Sequence, residues 1–373
     1  MVKRIGILGA SCRAAAQSCA KAGLEVEVVD LFTDFDTRQV ADVRVLKNLP
    51  WTAPKWLSES SVDAWCYAGG PENYRGVVRK MSKIRPLLGN SADTLWKVRN
   101  PFWLADLAER HQFAFPETHR VHDPNYDPVN PRRSEKWLLK PFKSGGGLRI
   151  ETLRSLPELP RRFYLQRKLS GRPMSAAILS TKAGWQILGR CRLDVGRTYG
   201  VPGPFVFAGA TLVSHVGTSE IRKMVDAIHH EANMIGLWGI DYIESDQATL
   251  LEVNPRWTAS MALFDRQRDD PLMRYHVAAC VGETVERLPR GRSGSSGSRI
   301  VYANRRLTFT TALLEKVLAV YSDQVADIPM PDTVIEKGHP ICTLYVDGID
   351  AADVESTILN EASRLRCLLY EDS

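Results

Sequence analysis

The chain has 373 residues, 44% of them hydrophobic and 25% charged, with a formal net charge of +6. That is the balance of a globular protein with room for two to four compact lobes. No run of about 18 apolar residues occurs, which excludes a spanning helix, and the short stretch Met1–Ala10 is too β-like for a signal peptide. Arg and Lys are scattered rather than gathered, which argues against a nucleic-acid partner and suits small anionic substrates. The seven cysteines stand singly with no Cys-x-x-Cys, the pattern of reduced thiols in a cytoplasmic protein.

In chain order, residues 3–8 read as a buried strand, Gly9-Ala10-Ser11 as a turn, 12–22 as a helix ended by Gly23, and 25–31 as a second strand. This is a β-α-β unit of a parallel sheet. A dinucleotide site with Asp30 on a ribose is the rival reading, but Gly6-x-x-Gly9-x-Ser11 lacks the required glycine spacing. A later strand, 63–68, runs into Gly69-Gly70-Pro71-Glu72-Asn73. Ligands of open α/β sheets sit beyond the carboxyl ends of strands, so Gly69, Gly70, Glu72 and Asn73 are candidate substrate contacts. A plain Gly-Pro turn accounts for the same residues.

The span 93–110 reads as helical, with Asp93 as cap and Pro101 as an interruption. Residues 122–131 read as a loop, 137–141 as a strand, 142–148 as a flexible glycine loop and 149–152 as a strand leaving it. Further strands fall at 163–169 and 175–180. An amphipathic helix runs from Thr218 to Ile235 and places His229 and His230 at its surface or rim. Residues 290–298 are rich in Gly and Ser and read as a linker. The remainder, 299–373, alternates short strands with turns and ends in a helix near 352–368.

Between these lies the most specific segment, Trp238 to Arg256. Two apolar runs flank a polar turn, a hairpin pattern. A two-residue Asp246-Gln247 loop sets Asp241 opposite Glu252, and alternation puts Asn254 on the same face. Opposed like charges destabilise a sheet, and a hard cation between them removes that cost. Asp241, Glu252 and Asn254 are therefore candidate metal ligands. Arg256 follows with a fork suited to phosphate oxygens. An ordinary amphipathic hairpin accounts for Tyr242, Leu251 and Val253, but not for two opposed acids followed by Asn-Pro-Arg.

Three further features precede the hairpin. Lys97 lies in the first helical span. Lys140 ends a strand and is followed by Ser144 and the run Gly145-Gly146-Gly147, whose missing Cβ atoms let backbone N–H groups approach phosphates, although a hairpin turn accounts for the same glycines. Phe163 to Leu169 then leads to Gly171. Taken in this order, residues 3–290 resemble an ATP-grasp enzyme. Motifs at Gly9–Ala14, at Asp30–Asp36 and at Gly171–Ser175 resemble most closely a group of predicted ATP-dependent carboligases related to biotin carboxylase. Some relatives are associated with pterin- or furan-type one-carbon carriers.

The resemblance implies an α/β plus α+β fold. A Rossmann-like parallel sheet would occupy 1–92, a two-lobed ATP-grasp core 93–290, and a small C-terminal β-rich lobe 299–373. It implies ATP and Mg²⁺ (or Mn²⁺) as cofactors. Lys97, Lys140 and Ser144–Gly147 would meet phosphates, and Gln166, Arg167, Lys168 and Leu169 would form the hinge beside adenine. Asp241, Glu252 and Asn254 would hold the metal, with Arg256 and Lys140 as the catalytic cations. No acid follows the hinge to bind ribose, so that contact stays unassigned. No Met-Lys-Met occurs, so no biotin is carried. The implied activity is a cytoplasmic, biosynthetic carboxylate-amine ligase releasing ADP. Its partners would be ATP, a carboxylate and an amine, with no nucleic acid or membrane, and a homodimer is compatible. A small-molecule kinase and a non-catalytic ATP-binding regulator remain the alternatives.

Overall fold

The computed structural model describes residues 2–121, 137–153, 161–214, 217–289 and 291–371. The expected loop at 122–131 falls outside them. Among the described residues the first sheet has strands β1 (Arg4–Leu8), β2 (Glu25–Val29), β3 (Asp42–Arg44) and β4 (Ala64–Tyr67), in the order β3-β2-β1-β4 and all parallel. β1, β2 and β4 are buried nearly throughout, as expected of a sheet covered on both faces. The helix Arg13–Lys21 supplies the crossover, and Asp30 is taken up locally, accepting from the backbone N–H groups of Cys12, Phe32 and Thr33. Asp30 is also buried, so it is not presented to a ribose.

A second sheet joins β5 (Thr118–Arg120), β6 (Trp137–Pro141), β7 (Glu151–Thr152) and β8 (Phe163–Arg167), in the order β5-β8-β6-β7. The third and largest sheet contains β9 (Arg172–Thr181), β10 (Gly184–Val195), β11 (Phe207–Ser214), β12 (Gly236–Glu244), β13 (Ala248–Asn254) and β14 (Ser295–Tyr302). A short β15 (Leu307–Phe309) leaves it. β16 (Val325–Ala326) returns, β17 (Thr333–Ile335) pairs with β15, and β18 (Pro340–Gly348) lies beside β14. The large sheet thus runs β13-β12-β9-β10-β11-β14-β18-β16.

β9 shows why this sheet is central. Its alternate residues Ala176 and Ile178 pack with Ile221, Val225 and Ile228 of the helix Ser219–Ala232. Ala177 and Leu179 join the opposite cluster, with Met261, Phe264 and Leu272 from the helices Met261–Arg266 and Leu272–Val281 and with Ile5 and Val28 of the first sheet. Each Ile, Val, Leu, Met or Phe among them contributes on the order of 1.5–3 kcal/mol of burial free energy.

Several expectations are corrected. Ser91, not Asp93, caps the helix Ala92–Val98, accepting from Thr94 N at 3.2 Å; Asp93 pairs instead with Arg79. Asn100 starts a second helix, Pro101–Arg110, where proline needs no N–H partner. The span read as a linker contains the first half of β14, whose residues from Ser295 are buried because the strand pairs on both sides. The C-terminal region holds an unexpected helix, Thr311–Tyr321, besides the expected one, Ala351–Tyr370. His229 is buried, with Nδ1 3.0 Å from Ser180 Oγ, so it is a core histidine rather than a rim residue.

Candidate active site

The second and third sheets meet at the short segment between β8 and β9. Gly171 stands there with φ +140, and a Cβ would fall 2.5 Å from Ile243 Cγ2 and 2.7 Å from Glu244 O. Glycine lets the crossing backbone lie against the β12–β13 hairpin. Arg167 and Lys168 are exposed and Leu169 half-buried, while Gln166 is buried.

The hairpin itself differs from expectation in one detail that leaves its consequence intact. Its loop has three residues, because Glu244 pairs with Ala248. A bulge then absorbs Leu251 and restores Asp241 opposite Glu252. Asn254 Nδ2 donates to Asp241 Oδ2 at 2.9 Å. The two carboxylates and the amide therefore share one face, as their alternation requires.

Their electrostatics is asymmetric. Burial and then the charge of Glu252 push Asp241 up to about 7. Burial also works against ionisation of Glu252, but Lys140, Arg99 and Arg256 outweigh it and hold this acid below its ordinary range. Asp241 is thus the member of the pair that takes up a proton first as pH falls. Among the described residues no group of three or more His, Cys, Asp or Glu is placed to hold a metal. The hairpin offers two opposed carboxylates beside the Asn254 amide, whose oxygen here accepts from Arg256; oxygen donors of this kind suit a hard cation drawing its remaining ligands from water and phosphate.

Cations surround this face. Lys140 is buried at the end of β6; its Nζ donates to Gln166 Oε1 at 2.9 Å and lies 5.8 Å from the Tyr164 ring centroid. Arg256 is held by three donations: Nε to Glu72 Oε1 at 2.8 Å, Nη1 to Trp257 O at 3.0 Å and Nη2 to Asn254 Oδ1 at 3.2 Å. A guanidinium has five N–H groups, so two are left to meet an anion. Asn254 bridges the acidic face and this arginine through one amide.

Two sequence assignments move. Glu72 is expected against a substrate, yet it is buried, with one oxygen on Arg256 and the other accepting from Gly70 N at 2.5 Å. It orients Arg256 instead. A Cβ built on Gly69 would come into ordinary contact with the same guanidinium, 3.5 Å from its Cζ. Lys97 is expected at the phosphates, but its Nζ donates to Glu231 O at 2.6 Å, at the end of the helix Ser219–Ala232.

The cation the sequence reading misses is Arg99. Two positions past Lys97, it projects from another side of the helix end. Its Nη2 donates to Asn73 Oδ1 and to Ser144 O, both at 3.1 Å, and Nη1 lies 4.0 Å from Glu252 Oε2. Asn73 also reaches Ser144 O, at 3.4 Å. The signal was available: a second cation at a helix C-terminus, just before the Asn-Pro restart.

These contacts also hold the glycine loop, which the sequence leaves without packing. Gly146 O accepts from Phe207 N at 3.1 Å, and Gly147 has φ +75 with space for a Cβ pre-empted by Phe205 O at 1.8 Å. The loop is folded between the first sheet's β4 loop and the start of β11.

A family model described as an ATP-grasp domain matches residues 102–260. These residues are an ATP-grasp domain. The span includes β6, the glycine loop, β8 and the acidic hairpin. No curated protein matches the chain. Among solved structures, the biotin carboxylase domain dimer of Hydrogenobacter thermophilus 2-oxoglutarate carboxylase, in complex with MgADP, ADP and bicarbonate, is similar at 13% identity. The alignment covers 96% of this chain and 89% of that one, with a TM-score of 0.71. N5-carboxyaminoimidazole ribonucleotide synthetase from Thermus thermophilus is similar at 16% identity over 97% and 98% of the two chains, TM-score 0.71. The Staphylococcus aureus N5-carboxyaminoimidazole synthetase complexed with ADP gives 14%, 96% and 97%, TM-score 0.71. At these identities the likeness is one of fold. It extends over nearly the whole chain, so the parallel sheet and the C-terminal strands belong to the same architecture as the ATP-grasp domain.

Proposed function

We propose that the chain is an ATP- and Mg²⁺-dependent ligase that activates a carboxylate as an acyl phosphate and joins it to an amine, releasing ADP and phosphate. One observation carries the reading: Asp241 faces Glu252 across the hairpin with Asn254 beside them, ringed by Lys140, Arg99 and Arg256. Asp241, Glu252 and Asn254 would hold the metal, which supplies charge neutralisation at transferring phosphate oxygens. Lys140 and the two spare N–H groups of Arg256 would bind those oxygens as charge develops. Ser144–Gly147 would cover the phosphates, and the segment Gln166–Leu169 would meet adenine, with the Gln166 side chain fixing Lys140.

The similar structures support the cofactors, since the Hydrogenobacter domain holds MgADP, ADP and bicarbonate and the Staphylococcus synthetase holds ADP on this fold. The finer role in making a pterin- or furan-type one-carbon carrier rests on the motifs at 9–14, 30–36 and 171–175. A cytoplasmic setting rests on seven unpaired cysteines, and a homodimer on the dimeric state of the Hydrogenobacter domain. No helix among the described residues is long and apolar enough to cross a membrane.

The test is a hydroxylamine trap. With ATP, Mg²⁺ and a carboxylate panel, an activated substrate gives a hydroxamate together with ADP. Release of AMP and pyrophosphate would exclude the acyl phosphate route. A stable phosphorylated alcohol would make the chain a kinase.

A further inference from the structure

Beside the acidic hairpin is a cleft of about 650 Å³ that the proposed nucleotide site does not use. It lies between the β4 loop with the helix Arg75–Met81, the two helices on either side of Asn100, and the ends of β5 and β6. Its lining is unusual in two respects. Five of the lining side chains are cations, Arg75, Lys80, Arg99, Arg120 and Lys143, and the acid among them, Glu72, is neutralised by Arg256. Among the described residues Arg75, Lys80, Arg120 and Lys143 form no ion pair. Like charges gathered in one cleft destabilise the chain that holds them, and an anionic occupant relieves the repulsion.

The second respect is aromatic. Trp51 and Trp96 line the same cleft with 66% and 50% of their surfaces exposed, large apolar faces that an occupant of the cleft would cover. Trp51 meets Tyr74 edge-on at 5.4 Å, and Tyr74 already carries Lys143 Nζ 4.9 Å from its centroid. Arg120 likewise sits 4.4 Å over Phe102. Flat faces alternating with cations make a wall for a planar ring bearing negative charge. The inner end of the cleft reaches the reaction centre through Arg99, which lines it and stands 4.0 Å from Glu252.

We infer that this cleft binds the acyl substrate and selects an aromatic carboxylate with at least two negative charges. One carboxylate faces Arg99 and the glycine loop, and the other end meets Lys80 and Arg75. This rests on the ligase reading above and adds the substrate class to it.

Terephthalate, a planar dianion, is the probe. It is titrated into the full chain with MgADP present while tryptophan fluorescence is followed, and cyclohexane-1,4-dicarboxylate serves as the saturated control. Saturable quenching is expected, with the control at least about tenfold weaker because it cannot stack or accept cation–π contacts. Quenching should fade in Trp96→Phe, and Lys80→Glu should weaken terephthalate about tenfold through reversed charge. Both positions are exposed, so folding is not at stake, and the comparison of the two dicarboxylates needs no variant. Equal affinity for ring and saturated control, or no saturable quenching while MgADP binds, overturns the substrate class and leaves the ligase reading standing. Competition between terephthalate and ADP assigns the cleft to nucleotide and also overturns it. Failure of MgADP itself to bind removes the ligase reading and this inference with it.

Discussion

Two clusters of carboxylates in this molecule look alike in composition and differ in how their charge is settled. At the acidic hairpin, Asp241 and Glu252 oppose each other across two strands, and their cations stand around the face rather than between the acids. Where the first sheet meets β16 and β18, Asp30, Asp34, Asp36 and Asp327 gather around one buried arginine, Arg13. There the charge is closed. Asp327 takes a forked pair from Arg13 at 3.0 and 3.1 Å, with Thr343 Oγ1 adding 2.6 Å. Asp36 accepts the N–H groups of Asp327 and Ile328, and Asp30 those of three residues. Burial and its acidic neighbours push Asp34 up to about 8, so it is protonated and adds no further negative charge. A cluster completed by its own backbone and arginine joins two regions of a fold. One left with its like charges opposed is, in the reading proposed above, the place for an ion from outside.

Breaking each cluster should therefore give opposite phenotypes. The largest effect is expected at the hairpin. Glu252→Gln and Asn254→Ala should each reduce ADP formation by about 10²-fold or more, the range seen when charge stabilisation is removed from a reaction centre, while the thermal midpoint hardly moves. ADP release at saturating and at limiting Mg²⁺ measures this. Wild-type turnover in either variant would turn the hairpin into a structural feature.

Arg13→Ala should do the reverse. It leaves buried carboxylates uncompensated and should cost about 3–5 kcal/mol of stability, read from the denaturant midpoint, with turnover per folded molecule kept. A smaller effect sharpens the same contrast. Asp34 has a folded-state pKa above its unfolded value, so its proton favours the folded chain. That contribution is full below about pH 4 and is lost as pH rises through about 8. In Asp34→Asn this part of the pH slope should vanish; an unchanged slope would show that Asp34 does not hold the proton.

How much of this was legible in the sequence follows the same division. The opposition of Asp241 and Glu252 was readable because side-chain alternation is local, and it survived an error in the turn because the Leu251 bulge compensated the three-residue loop. Buried β-α-β strands and the helix of residues 219–232 were readable from apolar runs and period. What was not readable depended on partners far along the chain. Glu72 and Arg256 are 184 residues apart, and nothing near Glu72 says that it will be an orienter. Lys97 and Arg99 are both cations at one helix end, and the sequence signal for the second did not say that Lys97 would be taken up by Glu231 O of the helix Ser219–Ala232 while Arg99 faces the hairpin. β14 hid in a Gly-Ser segment because small residues there serve close pairing: a Cβ on Gly297 would meet Val354 at 2.5 Å. The Asp30–Asp36 motif, which resembles a family signature, is here part of the closure around Arg13.

The central claim is that the hairpin face holds a divalent cation in place of a proton on Asp241, and calorimetric titration of Mg²⁺ into the ADP-bound protein tests it most directly. Asp241, raised to about 7, must lose its proton to become a ligand. Titration at pH 7 in buffers of different ionisation enthalpy should therefore show about half a proton released per cation. Affinity should fall by up to about tenfold for each pH unit below 7 and level off above about 8. In Glu252→Gln both the release and the pH dependence should shrink. Mg²⁺ binding with no proton release and the same affinity at pH 6 and pH 8 would contradict the account.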